Sequence, residues 1–328
     1  MRTARAIVAR AVLCSAGAAT EEHGMRIGMV GLGRMGAGMT RRLLRDGHAV
    51  VVHDLSRDAV AAVAAEGAQP ADGLAPLVAA LEPPRVVWLM LPAGSITQDT
   101  VAALGDLLAP GDLLVDGGNA RYTESVERSW WLGDGGIGFV DAGTSGGIWG
   151  LEEGYCLMVG GRPEDVALVE PALRSLAPPG GYAHVGPSGA GHYAKMIHNG
   201  IEYGLLQAYA EGFDLLRDGA YDLDPAQVAE LWRHGSVVRS WLLDLAARAL
   251  AVDPHLERTS GWVEDSGEGR WALETAVQYA VPAPALAASL FARFDSRRED
   301  PFGNRLVAAL RQQFGGHAVR AVEREEPS

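Results

Sequence analysis

The sequence predicts two domains of different class, an N-terminal α/β domain built on a doubly wound parallel sheet and an all-α C-terminal domain. Three observations predict this. Short apolar runs alternate with helical patterns as far as Gly186, a glycine-rich turn joins the first run to the first helix, and after Pro187 only helical periodicity remains.

The first run, Arg26-Ile27-Gly28-Met29-Val30, leads into Gly31-Leu32-Gly33-Arg34-Met35-Gly36 and then a helix expected over Ala37 to Arg45. Gly31, Gly33 and Gly36 form a GxGxxG element, the Rossmann fingerprint. Its glycines permit a tight turn, close approach of a pyrophosphate and close helix packing. A second strand, Ala49 to His53, ends in Asp54, at the spacing expected of an acid that binds the adenine ribose. Asp54 would accept from the ribose diol and repel a 2'-phosphate, which favours NAD. Arg57 could pair with that phosphate, so NADP remains open. Further strands are expected at Arg85 to Leu91 and Asp112 to Asp116, placing Leu91-Pro92-Ala93 and Gly117-Gly118-Asn119 at strand C-terminal ends, where open α/β sheets bind ligands. The run Phe139 to Thr144 enters a Ser145-Gly146-Gly147 loop able to hold a carboxylate or a sugar hydroxyl.

The 328 residues, 48% of them hydrophobic, suffice for two cores. A formal net charge of -13 disfavours nucleic acid or an anionic membrane as partner, so an anionic substrate needs a local cationic cluster. Cys14 and Cys156 are far apart and outside any CxxC pair, which indicates neither a disulfide framework nor a zinc site, and no metal is expected; a reducing cytoplasm fits best. No apolar run reaches the length of a membrane helix. Residues 1–24 carry Arg2, Arg5 and Arg10 and no acid before Glu21. A signal peptide is disfavoured by Arg10, a transit peptide fits the composition, and a dispensable extension before Met25 is preferred. The expected domains are therefore 25–186 for the dinucleotide and 187–328 for the helical domain.

The segment Gly186 to Glu202 opens the helical half. Pro187 and Ser188 suit a helix start, and Ala194, Ile197, Ile201, Leu205 and Ala208 recur at helical spacing. Lys195, His198, Asn199 and Glu202 stand at i, i+3, i+4 and i+7, one stripe beside the apolar one. A base, an acid and two hydrogen-bonding groups thus converge. Further helices are expected near 225–235, 238–250, 270–281, 285–294 and 303–314. Arg293 at a helix end and Arg311 to His317 near the C-terminus are cationic spots. Taken singly, Arg293 reads as a helix-dipole partner.

With these residues in view, the chain resembles the decarboxylating 6-phosphogluconate dehydrogenases, in particular their shorter class. The resemblance runs from Met25 onward through GLGRMG at Gly31 to Gly36, DGGN at Asp116 to Asn119, TSGG at Thr144 to Gly147 and KMIHNGIEY at Lys195 to Tyr203. The related β-hydroxyacid dehydrogenases share the Ser-Gly-Gly loop and the Lys, but typically follow the Lys with Asn-Asn. The resemblance implies Lys195 as base and Glu202 as acid. Asn119, Ser145, Gly146, Gly147, His198, Asn199 and Tyr203 would surround the substrate, and Arg293 would hold its phosphate. It further implies that Arg311 and His317 belong to a tail completing a neighbouring subunit's site, hence a homodimer or homotetramer. The family's KGTGKW signature appears here as Gly267-Glu268-Gly269-Arg270-Trp271, so one phosphate-contacting Lys has no counterpart, and Arg270 is the candidate substitute.

The implied reaction oxidises 6-phospho-D-gluconate at C3, loses CO2 from the resulting β-keto acid and yields ribulose 5-phosphate, as in the pentose phosphate pathway or gluconate utilisation. An unperturbed Lys titrates at about 10.4, so Lys195 needs burial or neighbouring cations to act as a neutral base. Two other classes stand beside this one: a β-hydroxyacid dehydrogenase or imine-reductase relative acting on a substrate without phosphate, and a non-catalytic dinucleotide sensor.

Overall fold

The structure, a computed structural model, describes residues 24–315. Residues 1–23 of the expected extension over 1–24, and the tail with His317, lie outside the described residues. The chain divides into two compact units, Met1–His192 and Tyr193–Ser328.

The first unit carries β1 (Arg26–Val30), α1 (Arg34–Arg45), β2 (Ala49–His53), α2 (Arg57–Ala64), β3 (Gln69–Pro70), α3 (Leu74–Ala79), β4 (Val86–Leu89) and α4 (Ser95–Gly105). It continues with β5 (Leu113–Asp116), α5 (Tyr122–Asp134), β6 (Gly138–Ser145), a 3-10 turn, α6 (Gly150–Glu153), β7 (Cys156–Gly161), α7 (Pro163–Leu176), β8 (Tyr182–Gly186) and the first turn of α8 (Ala190–Asp218). The strands form one sheet in the order β3-β2-β1-β4-β5-β6-β7-β8. The order reverses between β1 and β4, the switch point at which such sheets take their ligands. Central strands are apolar on both faces because both faces are covered. Ile27, Met29, Trp88 and Val115 pack against one helical layer, and Val51, Val87, Leu89 and Leu114 against the other.

The sheet is parallel, as expected, at every pairing but one. β7 runs antiparallel to β6, with Ser145 opposite Cys156 and Asp141 opposite Gly160. Only residues 146–155 separate the two strands, fewer than a parallel crossover requires. β3, β7 and β8 were not expected, being short or glycine-bounded. The first helix begins at Arg34 rather than Ala37, because Gly33 itself serves as its N-cap.

In the second unit α8 continues to Asp218, followed by α9 (Pro225–Trp232), α10 (Trp241–Val252), α11 (Glu268–Gln278), α12 (Pro284–Asp295) and α13 (Phe302–Gly315). Ala229, Leu243, Ala247 and Leu250 form a small core with Tyr209, Phe213 and Trp232. One side of α8 is pressed against α11 and α12: a Cβ on Gly200 would lie 3.0 Å from Leu286 and 3.2 Å from Ala272. The apolar stripe behaves differently from expectation, since Ile201, Leu205 and Ala208 are exposed in the single chain. The side of the helix that this chain itself covers is the one bearing Met196 and Tyr203.

Candidate active site

The glycine turn is built for an anion. Gly31 has φ +95°, and a Cβ there would lie 2.5 Å from the Met90 carbonyl oxygen. A Cβ on Gly36 would collide with the Gly31 carbonyl, so its absence lets α1 start directly above β1. Gly33 differs: it is exposed, and a Cβ there would meet nothing within 4 Å. The open face therefore lies over the N-terminus of α1, whose first turn contains no acidic residue. Free helical N–H groups, the positive dipole end and an unobstructed approach fit a dinucleotide pyrophosphate.

Asp54, just past the end of β2, is held by two backbone donors. Its Oδ2 accepts from Leu32 N at 2.6 Å and its Oδ1 from Ser56 N at 2.7 Å. The carboxylate is thereby fixed against the glycine turn, with lone pairs left for a diol. Arg34 and Arg57 are exposed, and Met35 is half-buried. On the same C-terminal edge of the sheet stand Leu91, Pro92 and Ala93 after β4, Asn119 after β5 and Ser145 at the end of β6. Gly146 and Gly147 turn the chain away with φ +136° and +53°. All the first unit's predicted site residues thus lie along one edge.

Sequence reasoning missed Asp141. It is fully buried in β6, and its Oδ1 and Oδ2 accept the backbone N–H groups of Gly189 at 2.6 Å and His192 at 2.7 Å. It therefore caps the start of α8, the helix that carries Lys195 three residues later. His192 adds a second tether from its Nδ1 to Ser125 Oγ at 2.7 Å. An acid inside the apolar run Phe139 to Ala142 was the available signal, since a buried carboxylate must be paired.

In the second unit Lys195 is buried, at 8% exposure. His198, Asn199 and Glu202 follow it along α8, half-buried. His198 Nδ1 lies 3.0 Å from Asn199 Oδ1 and 4.0 Å from Glu202 Oε2, so these three members of the predicted stripe stand beside one another. Tyr203, one residue on, is 5% exposed and lies under Arg293, whose guanidinium carbon is 3.4 Å from the ring centroid. Arg293 also donates to the Glu264 carbonyl at 3.0 Å. The backbone of Ser266 donates to Tyr203 Oη at 3.4 Å, and a Cβ on Gly269 would lie 2.5 Å from the Tyr203 ring. Ser266 and the first turn of α11 thus wrap the tyrosine. Arg270 pairs with Asp265 (Nε to Oδ2 at 2.5 Å) and stacks 4.4 Å from the Phe294 centroid. Hydrogen bonds from Arg270 and Arg297 hold the Asp265 carboxyl below its ordinary range, the Arg270 bond being the larger cause. Arg297, donating to Asp265 at 2.8 Å, was not singled out from the sequence. Arg311 is exposed on α13. Among the described residues no group of three or more His, Cys, Asp or Glu is placed to hold a metal.

The model for the NAD binding domain of 6-phosphogluconate dehydrogenase matches residues 26–186, and that for the 6-phosphogluconate dehydrogenase C-terminal domain matches 191–301 and 218–327. The chain belongs to the 6-phosphogluconate dehydrogenase family. Within that family it is 44% identical to the NAD(+)-dependent, decarboxylating 6-phosphogluconate dehydrogenase of Haloferax volcanii, over 90% of this chain and 98% of that one. It is 32% identical to the decarboxylating 6-phosphogluconate dehydrogenase of Escherichia coli, over 92% of this chain and 67% of that one. Among solved structures, Plasmodium falciparum 6-phosphogluconate dehydrogenase superimposes with a TM-score of 0.77 at 24% identity, covering 92% of this chain and 67% of that one. Mycobacterium tuberculosis 3-hydroxyisobutyrate dehydrogenase follows with a TM-score of 0.69 at 24% identity, covering 88% and 99%. Those two likenesses describe the fold that the 6-phosphogluconate and β-hydroxyacid dehydrogenases share.

Proposed function

We propose that this protein oxidatively decarboxylates 6-phospho-D-gluconate to D-ribulose 5-phosphate and CO2, with NAD as the favoured hydride acceptor and NADP as the alternative. The observation that carries the proposal is the 44% identity to the NAD(+)-dependent Haloferax volcanii enzyme across 98% of its length. The fixed carboxylate of Asp54 supports NAD, because it would repel a 2'-phosphate.

The bound nicotinamide supplies the hydride acceptor. Lys195 takes the proton of the C3 hydroxyl as hydride leaves C3, giving a 3-keto acid. Its ammonium then donates toward the ketone oxygen while the carboxylate leaves as CO2, and the developing enediolate is stabilised there. Glu202 protonates the carbon that has lost CO2, the former C2 that becomes C1 of the product, and Lys195 takes up the remaining enediol hydroxyl proton, so the product ketone forms. Ser145, Gly146, Gly147 and Asn119 orient the carboxylate end and the C3 centre, and His198 and Asn199 hold the chain hydroxyls. Tyr203 and Arg293 take the phosphate, whose charge the guanidinium balances. Arg270 is a weaker phosphate ligand in this scheme, since Asp265 already engages its charge.

A homodimer or homotetramer is part of the proposal, with Arg311 and His317 reaching a neighbouring site. Ile201 is 53%, Leu205 45% and Phe291 60% exposed, and a second copy would cover such apolar surface. Among the described residues no helix is long and apolar enough to cross a membrane. A cytoplasmic enzyme supplying ribulose 5-phosphate to pentose phosphate or gluconate metabolism completes the scheme.

The test is reduction of NAD and NADP in parallel with 6-phosphogluconate, gluconate and 3-hydroxyisobutyrate. Turnover confined to the phosphorylated acid is expected. Turnover only with 3-hydroxyisobutyrate would move the chain to the β-hydroxyacid dehydrogenases.

A further inference from the structure

We infer that Arg128 is a positioning residue for the dinucleotide, fastening together the two loops that flank its reacting end. Arg128 projects from α5 and is 2% exposed. Its guanidinium donates three ways: Nε to Gln98 Oε1 on α4 at 3.1 Å, Nη1 to Asp116 Oδ2 at the end of β5 at 3.0 Å, and Nη2 to Glu124 Oε2 at 2.8 Å. One side chain therefore bridges the element after the β4–α4 loop, which carries Leu91, Pro92 and Ala93, to the strand end before the β5–α5 loop, which carries Asn119.

The two loops also approach each other directly. A Cβ on Gly117 would lie 2.9 Å from Met90 Sδ, and one on Gly118 would collide with the Leu91 carbonyl oxygen. Asp116 Oδ1 also accepts Gly118 N at 3.3 Å, so the carboxylate that Arg128 holds in turn holds the loop. Their separation is set by glycine contact between the loops and by the rigid fork of Arg128.

Stability alone does not call for such a group. A buried ion pair is commonly replaced by apolar residues at no net loss, because its desolvation offsets its attraction. What an apolar pair cannot do is reach three acceptors at fixed angles, which the planar guanidinium does. Lys could keep the Asp116 pair, but as a point charge on a single stem it would lose the span to Gln98.

The inference rests on the proposed binding of NAD at this edge, and the experiment separates the two. NAD dissociation constants are measured by titration of the full-length protein, alongside thermal midpoints, for wild type, Arg128→Lys and Gln98→Ala. Arg85→Lys serves as control, altering a comparable pair with Asp112 (3.0 Å) at the opposite end of the sheet. Loss of one bridging hydrogen bond predicts NAD binding weakened about three- to tenfold in Arg128→Lys and Gln98→Ala. Arg85→Lys is expected to bind as wild type does. Wild-type affinity in both bridge variants, or equal weakening in Arg85→Lys, would overturn the positioning role. Should Arg128→Lys not accumulate, Gln98→Ala, a change at an exposed residue, decides alone. Failure of the wild type to bind NAD would instead overturn the cofactor assignment.

Discussion

The carboxylate of Asp141 accepts the backbone N–H of His192 at 2.7 Å, joining the buried centre of β6 to the first turn of α8. A second N–H, from Gly189, reaches its other oxygen at 2.6 Å. The negative charge lies at the positive end of a long helix, where the dipole favours it. Asp141→Asn keeps the shape, loses the charge and turns an amide donor toward one of the N–H groups. Unfolding stability is expected to fall by about 1.5–3 kcal/mol, the range for charge-assisted bonds. A urea midpoint unchanged from wild type would show that the cap contributes nothing.

Lys195 has its own prediction. Lys195→Ala is expected to lower kcat by at least about 10²-fold, the scale of general acid–base catalysis. The NAD dissociation constant should stay at the wild-type value, because the glycine turn and Asp54 belong to other elements. Titration with NAD and steady-state kinetics on the same preparation check both halves. Near-normal turnover would remove Lys195 from the base role.

For Asp54 the measurement is cofactor choice. Asp54→Ala removes the acceptor for the ribose and the repulsion of a 2'-phosphate together, so the ratio of kcat/KM for NAD over NADP should fall about tenfold or more. Arg57, exposed at the start of α2, is then free to favour NADP. An unchanged ratio would place the ribose elsewhere.

Arg293 is fixed from two sides, by the Tyr203 ring and the Glu264 carbonyl. Removing a charge-assisted phosphate contact should raise KM for 6-phosphogluconate about 10- to 100-fold in Arg293→Ala. The KM for NAD should not move. If the KM for both rises alike, Arg293 supports the fold rather than the phosphate.

His48 gives a pH signature remote from the sheet's C-terminal edge. Its Nδ1 accepts Met25 N at 3.2 Å and its Nε2 lies 2.7 Å from Ser175 Oγ, which in turn donates to Asp46. Burial pushes its pKa below the ordinary value, outweighing the opposing Asp46 charge. As pH falls below about 6.5 the unfolded chain takes up this proton first. The stability is thus fully present above that pH and is lost as pH falls toward the folded-state value. Thermal midpoints from pH 7.5 to 5 should decline less steeply in His48→Gln; identical slopes would exclude the contribution.

Local chemistry determined much of this protein. Period and punctuation in the sequence suffice to place the glycine turn, Asp54 at the end of the second strand, the strand ends at Leu91 and Asn119, the Ser145 loop and the stripe of α8, because each position follows from strand and helix periodicity and from motif spacing along the chain. Other features depend on residues far apart in the chain, and only the tertiary structure decided them. Asp141 lies 48 residues before Gly189, and the Arg128 bridge joins three elements. The antiparallel return of β7 follows from a connection too short for a crossover. Burial on α8 was decided the same way. The apolar stripe of Ile201 and Leu205 predicts a buried side, yet contacts from α11 and α12 cover Met196 and Tyr203 instead. Helical periodicity states which residues share a face, and only packing partners decide which face is covered.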